Sequence, residues 1–545
     1  MATPATEDLD SRLLAAFRRG AWLELGPQPP SDDALAARIP AKRLRELLLG
    51  LEPAAGAAAR GQLALRVRGA LIEGCLDLRE CSGADGGSLP AILLEHCLFR
   101  GDPAEPGRPV IDAAHARLGR LSLAGSRVGL IDLQGASLLG DLDISDVAPA
   151  DPDGPCQIAA RQCRIGGELV AHRARLRIPA LQKNARLGGP DYALNMAGAT
   201  IGGSVLLQPG FEAHGGVNLG GARVAGDLWA EGASLIASDR MAFRGQTLRC
   251  EGVLALRGLA AAGDAPRPCQ VEGTIDLMGA ELGHLDLRGL RVCAPPHAAP
   301  GSLQGWSVLL DMAKVRGHLL VSGSEPPMQT VLEGPLRAVG AEVGRDLHLS
   351  GLRFPDAGSH AAQVSIDLQD LQIGGSVSLY EAGKLSIELT GCRIGHRLEV
   401  HGLEAVAPQG RGAGFLASNA DIGMDCDLQR VSGSFDLQLA RIGGALKVGA
   451  DGLSLFDAKD AEVRGSVCVE GAVRPSGRKG EGATVRFDGG SFLGEFRIGS
   501  PGRPLGFEQV SEHVPSISIE DARIERDFHV SGLGVARVSV QEWAR

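Results

Sequence analysis

The sequence predicts an all-β chain: a right-handed parallel β-helix, or solenoid, over residues 62–545, preceded by a small α-helical cap over residues 1–61. Three observations lead there. A nine-residue phrase recurs, as ARIGGALKV at 440–448, ATIGGSVLL at 199–207, LQIGGSVSL at 371–379 and AEVRGSVCV at 461–469. Copies stand 21, 20 and 21 residues apart between 371 and 392, 420 and 440, and 440 and 461, and spread to 36 residues between Cys163 and Ala199. The composition, with 77 glycines against 13 Phe, 4 Trp and 2 Tyr, fits a narrow interior filled by Ala, Val, Ile and Leu better than a thick aromatic core.

The cap comes first. Apolar residues at helical spacing fill LDSRLLAAFRRGAWLEL at 9–25 and DDALAARIPAKRLRELLLGL at 32–51, and GPQPP separates them. Asp32 or Asp33 is placed to cap the second helix, and Pro40 to interrupt or restart it. Helices here would cover the open edge of the first coil, which otherwise invites strand pairing with other chains.

The coils follow. Number the phrase from 0, and the even positions hold a small residue, a branched aliphatic, a glycine and two further aliphatics, as in Ala222, Val224, Gly226, Leu228 and Ala230. The odd positions hold Arg, Glu, Asp, His, Ser and Lys. Period-two alternation is the strand signature, so the even set faces inward. The glycine near position 4 is expected to turn a corner, and a coil is expected to hold two or three short strands. A constant coil with variable excess length is a solenoid that carries loop insertions. The six-residue rhythm of a left-handed hexapeptide helix is absent, and a pentapeptide-like rhythm runs through ARLGRLSLAGSRVGLIDLQGASLLG at 116–140.

Eleven cysteines without a C-x-x-C pair suit free thiols in a reducing cytoplasm. Cys97, Cys163, Cys269, Cys392, Cys250 and Cys426 fall on inward positions, while Cys75 and Cys468 fall on outward ones. The net charge of -10, with both signs interleaved, argues against nucleic-acid attraction. No run of about 18 apolar residues suggests a membrane span, and the start MATPATEDLDSR does not read as a secretory signal.

The F-x-x-G-x-W-like start (Phe17, Gly20, Trp22), the run RLRELLLGL at 43–51 and the many A-x-[IV]-x-G-x-L-x-L coils resemble a family of uncharacterised bacterial β-helix proteins. Some members go by the automatic label membrane-associated oxidoreductase. The resemblance implies the fold. The parts that the label would need, a spanning segment, G-x-G-x-x-G or a redox C-x-x-C, do not occur in the sequence.

The chemistry-bearing residues are the outward carboxylates. Asp425 and Asp427 flank Cys426 and point from one face, and paired carboxylates can hold a cation or divide acid and base roles, as in polysaccharide-cleaving β-helices. Position 1 mixes Arg117, Arg127, Arg164, Arg223, Arg249, Lys314, Arg393, Arg441 and Arg523 with Glu281, Glu342, Asp421 and Glu462, which reads as a charged ladder of alternating sign. The histidines, among them His318, His348 and His529, are dispersed over separate coils, so no metal site and no cofactor are expected.

Loops on a rigid scaffold tend to carry recognition. The largest stand at 173–194, 293–307, 471–484 and 499–516. Trp229, Trp306, Phe507 and Trp543 are the candidate partner-binding residues. The expected function is therefore a non-enzymatic cytoplasmic scaffold that binds a protein partner through insertion loops or a charged flat face. The alternative is a glycan-active lyase or hydrolase that uses Asp425 and Asp427. At the C-terminus only SGLGVARVSVQEWAR follows the last copy, so an end-to-end homodimer closing over Trp543 is expected.

Overall fold

The computed structural model describes residues 4–51, 64–83, 86–102, 104–105, 107–178, 192–260, 266–293, 305–323, 328–354, 364–408, 412–474, 484–500, 503–507, 516–531 and 537–539. The chain forms two compact units, residues 1–263 with 267–276, and residues 277–545 with 264–266. Both are stacks of short parallel strands, the parallel β-helix that the repeat predicts.

In the first unit the helix Pro4–Arg19 buries Leu9, Leu13, Ala16 and Phe17. The second predicted helix is only half helical. Arg38–Pro40 is a strand paired in parallel with Leu71–Glu73, and the helix Ala41–Leu48 begins after Pro40 at its N-cap, burying Ala41, Leu44, Leu47 and Leu48. Proline disfavours helix in the residue before it and cannot supply an interior amide, so the pattern turns helical only beyond Pro40. Leu23–Glu24 likewise pairs with Val67–Arg68. The cap thus joins the sheet as well as covering it.

Each coil has four sides, rather than the two or three strands that the spacing suggests. One turn runs through Leu130–Asp132, Ser137–Leu138, Leu142–Asp143 and Ala148–Pro149, and the next through Gln157–Ala159, Arg164–Ile165, Leu169–Val170 and Arg175–Arg177. Sides of two or three residues are too short to show alternation, which is why sequence periodicity undercounts them. In the second unit adjoining sides fuse into longer bent strands, as in Cys426–Asp436 and Leu446–Asp457, which pair with register shifts at the bends. The phrase itself marks more than one side. Copies at Ala199, Ala222, Ala420 and Ala440 stack on the second side, whereas Leu71 pairs with Leu98, which places the copies at Ala70 and Cys97 on the fourth. Gln270 pairs with Ser234, so the copy at Cys269 belongs there too.

Inward positions are closed: Val224, Val343, Ile394, Ile442 and Val463 are all buried, as are Cys97, Cys163, Cys250, Cys269, Cys392 and Cys426. The interior is more aromatic than the composition suggests. Phe415 packs tilted against Phe435 at 5.1 Å, and Phe487 meets both Phe492 and Phe496 edge-on at 5.6 and 4.9 Å. Phe99, Phe211 and Phe243 are also fully buried, in the first unit, so the few aromatics are spent inside.

At position 4 of the fourth-side copies Gly74 and Gly273 do take positive φ, 86° and 125°, but on the second side the phrase's glycines answer to crowding, not to a turn. A Cβ on Gly374 would stand 2.4 Å from the Gly344 carbonyl oxygen, and one on Gly423 2.2 Å from that of Gly395. Stacked backbones come too close there for any side chain. Positive φ falls one residue before the phrase instead, at Gly340, Asp370, Gly391, Asn419, Leu439 and Asp460.

Candidate functional site

The outward residues at position 1 of the second side form a column held in register. In the second unit it reads Glu281, Lys314, Glu342, Gln372, Arg393, Asp421, Arg441, Glu462, Ser491 and Arg523, each residue the direct partner of the next. Lys314 Nζ lies 2.9 Å from Glu342 Oε1, and that bond holds the lysine's pKa above its ordinary value. In-register strands stand about 4.8 Å apart, so neighbours of opposite sign attract in the runs Glu281 to Glu342 and Arg393 to Glu462. In the first unit the same column reads Arg117, Ser137, Arg164, Thr200, Arg223 and Arg249. Arg127 is not part of it, since it pairs with Leu98 and Ala148 on the fourth side.

Beside the ladder of the second unit lies an open groove of about 680 Å³, walled by Lys314, Arg316, Glu342, Arg393 and Asp421 and floored by Gly344, Gly374, Gly395 and Gly423. The glycines that let the coils stack also leave backbone uncovered along this floor. A second depression, of about 570 Å³, borders the ladder from Arg393 to Glu462 and takes in Leu439, a large apolar side chain 52% exposed.

Asp425 and Asp427 flank the buried Cys426, and each has a structural task. Asp425 Oδ1 accepts the Ala445 backbone N–H at 2.9 Å, and its other oxygen stands 3.6 Å from Arg397 Nε. The same acceptor role recurs at Asp141 for Glu168, Asp227 for Val253 and Asp346 for Ser376, at 3.0, 2.8 and 2.8 Å. Position 5 therefore clamps the corner of the following coil. Asp427 Oδ1 accepts from Gln429 Nε2 at 2.7 Å, and its register partners are Glu399 and Lys447.

Trp229 is half-buried with the Arg257 guanidinium 5.1 Å from its ring centre, and Trp306 is half-buried with Arg337 at 5.5 Å. They belong to different units. The strand Leu505–Phe507 pairs with Gly471–Val473, and the Phe507 side chain lies outside the described residues. So do Trp543, with the homodimer expectation that rests on it, and most of the four loops: 179–191, 294–304, 475–483, 501–502 and 508–515. The strand Arg537–Ser539 does add to Ser516–Ser518.

Burial pushes the thiols of Cys97, Cys163, Cys269 and Cys392 up to about 12. The half-buried Cys75 and Cys468 are also raised, by burial first, so neither has the lowered pKa of a reactive thiolate.

The sequence reading missed one grouping. His318, Asp346 and His348 offer ligand atoms that all lie within 4.8 Å of one another, and the rings of His284, His318 and His348 stack at 5.7 and 6.3 Å. Their coils are separate, as expected, but adjacent: Leu320 pairs with His348 on the strand beside it. Shared repeat position was the usable signal. His318 and Asp346 both occupy position 5, and His348 follows two residues along the same strand. No family model, curated protein or solved structure matches the chain.

Proposed function

We propose that this protein is a non-catalytic β-helical scaffold that binds a protein partner through the charged face of its second unit. The observation that carries this reading is the mixed-charge column from Glu281 to Arg523, in which signs alternate from Glu281 to Glu342 and from Arg393 to Glu462 and which borders two open grooves and is held by backbone register. A face of this kind offers both signs at fixed spacing, which favours specificity and encounter rate over raw affinity. A partner that matches it carries acidic and basic groups in alternation and reaches the exposed glycine floor with its own backbone or small side chains. The eleven free thiols are in keeping with a reducing, cytoplasmic setting, and the bacterial β-helix family that the sequence resembles would share the architecture.

The test is affinity capture from native lysate with the intact chain and with a chain carrying Arg393→Glu and Arg441→Glu. The reading expects the captured partner to be lost with the double variant at 0.15 M salt, while the melting temperature falls by only a few degrees. Equal recovery of the same partner by both chains would remove the face from consideration. Asp425→Asn with Asp427→Asn is the parallel control, and it is expected to leave capture unchanged.

A further inference from the structure

We propose that His318, Asp346 and His348 bind a first-row transition-metal dication of the zinc class, a role separate from the charged face. The site lies on the outer edge of two successive coils. Backbone pairing of Leu319–Ser322 with Leu347–Ser350 sets one histidine and the Asp-Leu-His run of the next coil side by side.

Three features prepare the donors. Asp346 Oδ1 accepts the Ser376 N–H at 2.8 Å, which fixes the carboxylate and leaves Oδ2 directed at His318. His318 Nδ1 is itself buried and stands 3.2 Å from Asp346 Oδ2, yet makes no hydrogen bond among the described residues. At that separation either a proton on Nδ1 or a bound cation joins the two atoms, so the pair is placed to exchange the one for the other. The third feature is His284, whose Nδ1 accepts the His318 backbone N–H at 3.1 Å and whose ring stacks on that of His318, limiting where the ligand ring can turn. Such outer contacts orient metal ligands.

Donor chemistry selects the ion. Two imidazoles with one carboxylate suit zinc and its neighbours, whereas magnesium and calcium demand oxygen ligands. Zinc bonds to nitrogen and oxygen of about 2.0–2.2 Å place tetrahedral donors roughly 3.4 Å apart. Ligand atoms already within 4.8 Å reach that spacing by small side-chain rotations. Three protein donors leave at least one coordination position for water or an incoming ligand, and the half-exposed side chains leave it open to solvent.

The full-length chain, reduced and stripped of metal with a chelator, is titrated with ZnCl2 and separately with MgCl2 by calorimetry. Melting temperature with and without zinc serves as the second readout. The proposal expects one equivalent of zinc to be lost in His318→Ala with His348→Ala relative to the intact chain. It also expects Asp346→Asn, which keeps the oxygen that accepts from Ser376, to weaken zinc by about tenfold or more without lowering the metal-free melting temperature. His529→Ala should bind as the intact chain does, and millimolar magnesium should not compete. Zinc stoichiometry and affinity unchanged across all these variants would overturn the assignment. So would the absence of any zinc-dependent rise in melting temperature in the intact chain, or displacement of zinc by magnesium.

Discussion

The two units follow one rule inside and different rules outside. In both, the branched aliphatic at position 2 is buried, and the glycine after it passes within touching distance of the preceding coil's carbonyl: a Cβ on Gly202 of the first unit or Gly374 of the second would stand 2.4 Å from that oxygen. On the outer surface of the same side they part. The first unit dilutes arginines with Ser137 and Thr200, and only Arg223 and Arg249 meet as like charges. The second mostly alternates acid and base, with neutral residues only at Gln372 and Ser491. A spacing of about 4.8 Å makes like neighbours costly, and there are two remedies, a neutral spacer or an opposite charge. Only the second remedy creates a surface patterned in both signs, and it prevails in the second unit.

The interior rule is the sharper to test. Val224→Asp and Val463→Asp should each cost about 3–5 kcal/mol, because an unpaired carboxylate would be buried. Thermal melts should register both, while Glu462→Lys beside Val463 should fall within about 1 kcal/mol of the parent. A surviving Val224→Asp beside an unfolded Val463→Asp would show that the units do not follow the same interior rule.

Next in size are the glycines. Gly202→Ala and Gly374→Ala should both destabilise, by about 2 kcal/mol for forced overpacking against backbone. Gly412, whose Cβ would meet nothing within 4 Å, should accept alanine with little change in a denaturant titration.

The outer rule predicts opposite signs. Ser137→Glu inserts a carboxylate between Arg117 and Arg164 and should stabilise the first unit, whereas Arg441→Glu aligns three carboxylates with Asp421 and Glu462 and should destabilise the second. Each effect should be about 0.5–1 kcal/mol at low salt and fade in about 1 M salt, where the screening length is about 3 Å. Equal shifts of the same sign would break the comparison.

The smallest effects concern the first side, where an Asp or Asn oxygen accepts the amide two residues on: Asn195 from Ala197 in the first unit and Asp367 from Gln369 in the second. Burial, with Glu388 next to it in register, raises the Asp367 pKa. A carboxyl whose folded pKa is raised binds its proton more tightly when folded. Its destabilising contribution is therefore full at neutral pH and disappears as pH falls through the raised value towards the ordinary 3.8. Asp367→Asn, which keeps the accepting oxygen, should be more stable than the parent at pH 7 and lose that advantage near pH 4. Asn195→Asp should show the mirror trend.

Legibility followed the range of the interaction. Val463 and Cys426 were placed inside from their position in the phrase, because strand alternation is written in neighbouring residues. Pro40 was recognised as a break, but not as the end of a strand that joins the sheet, since its partner Glu73 lies 33 residues on. Asp425 was recognised as outward, but its hydrogen bond to Ala445 needs the next coil in place.

Taken alone, the sequence determined the parallel β-helix, the inward set and the mixed-charge ladder, since all three are properties of a local repeat. Tertiary structure decided which residues meet across coils. Loop insertions vary the sequence separation of stacked partners, which is 20 residues between Asp421 and Arg441 but 40 between Arg291 and Val331, so distance along the chain does not report distance in space. Backbone register does, and it alone gathered the Phe487 cluster and set His318 against Asp346 and His348.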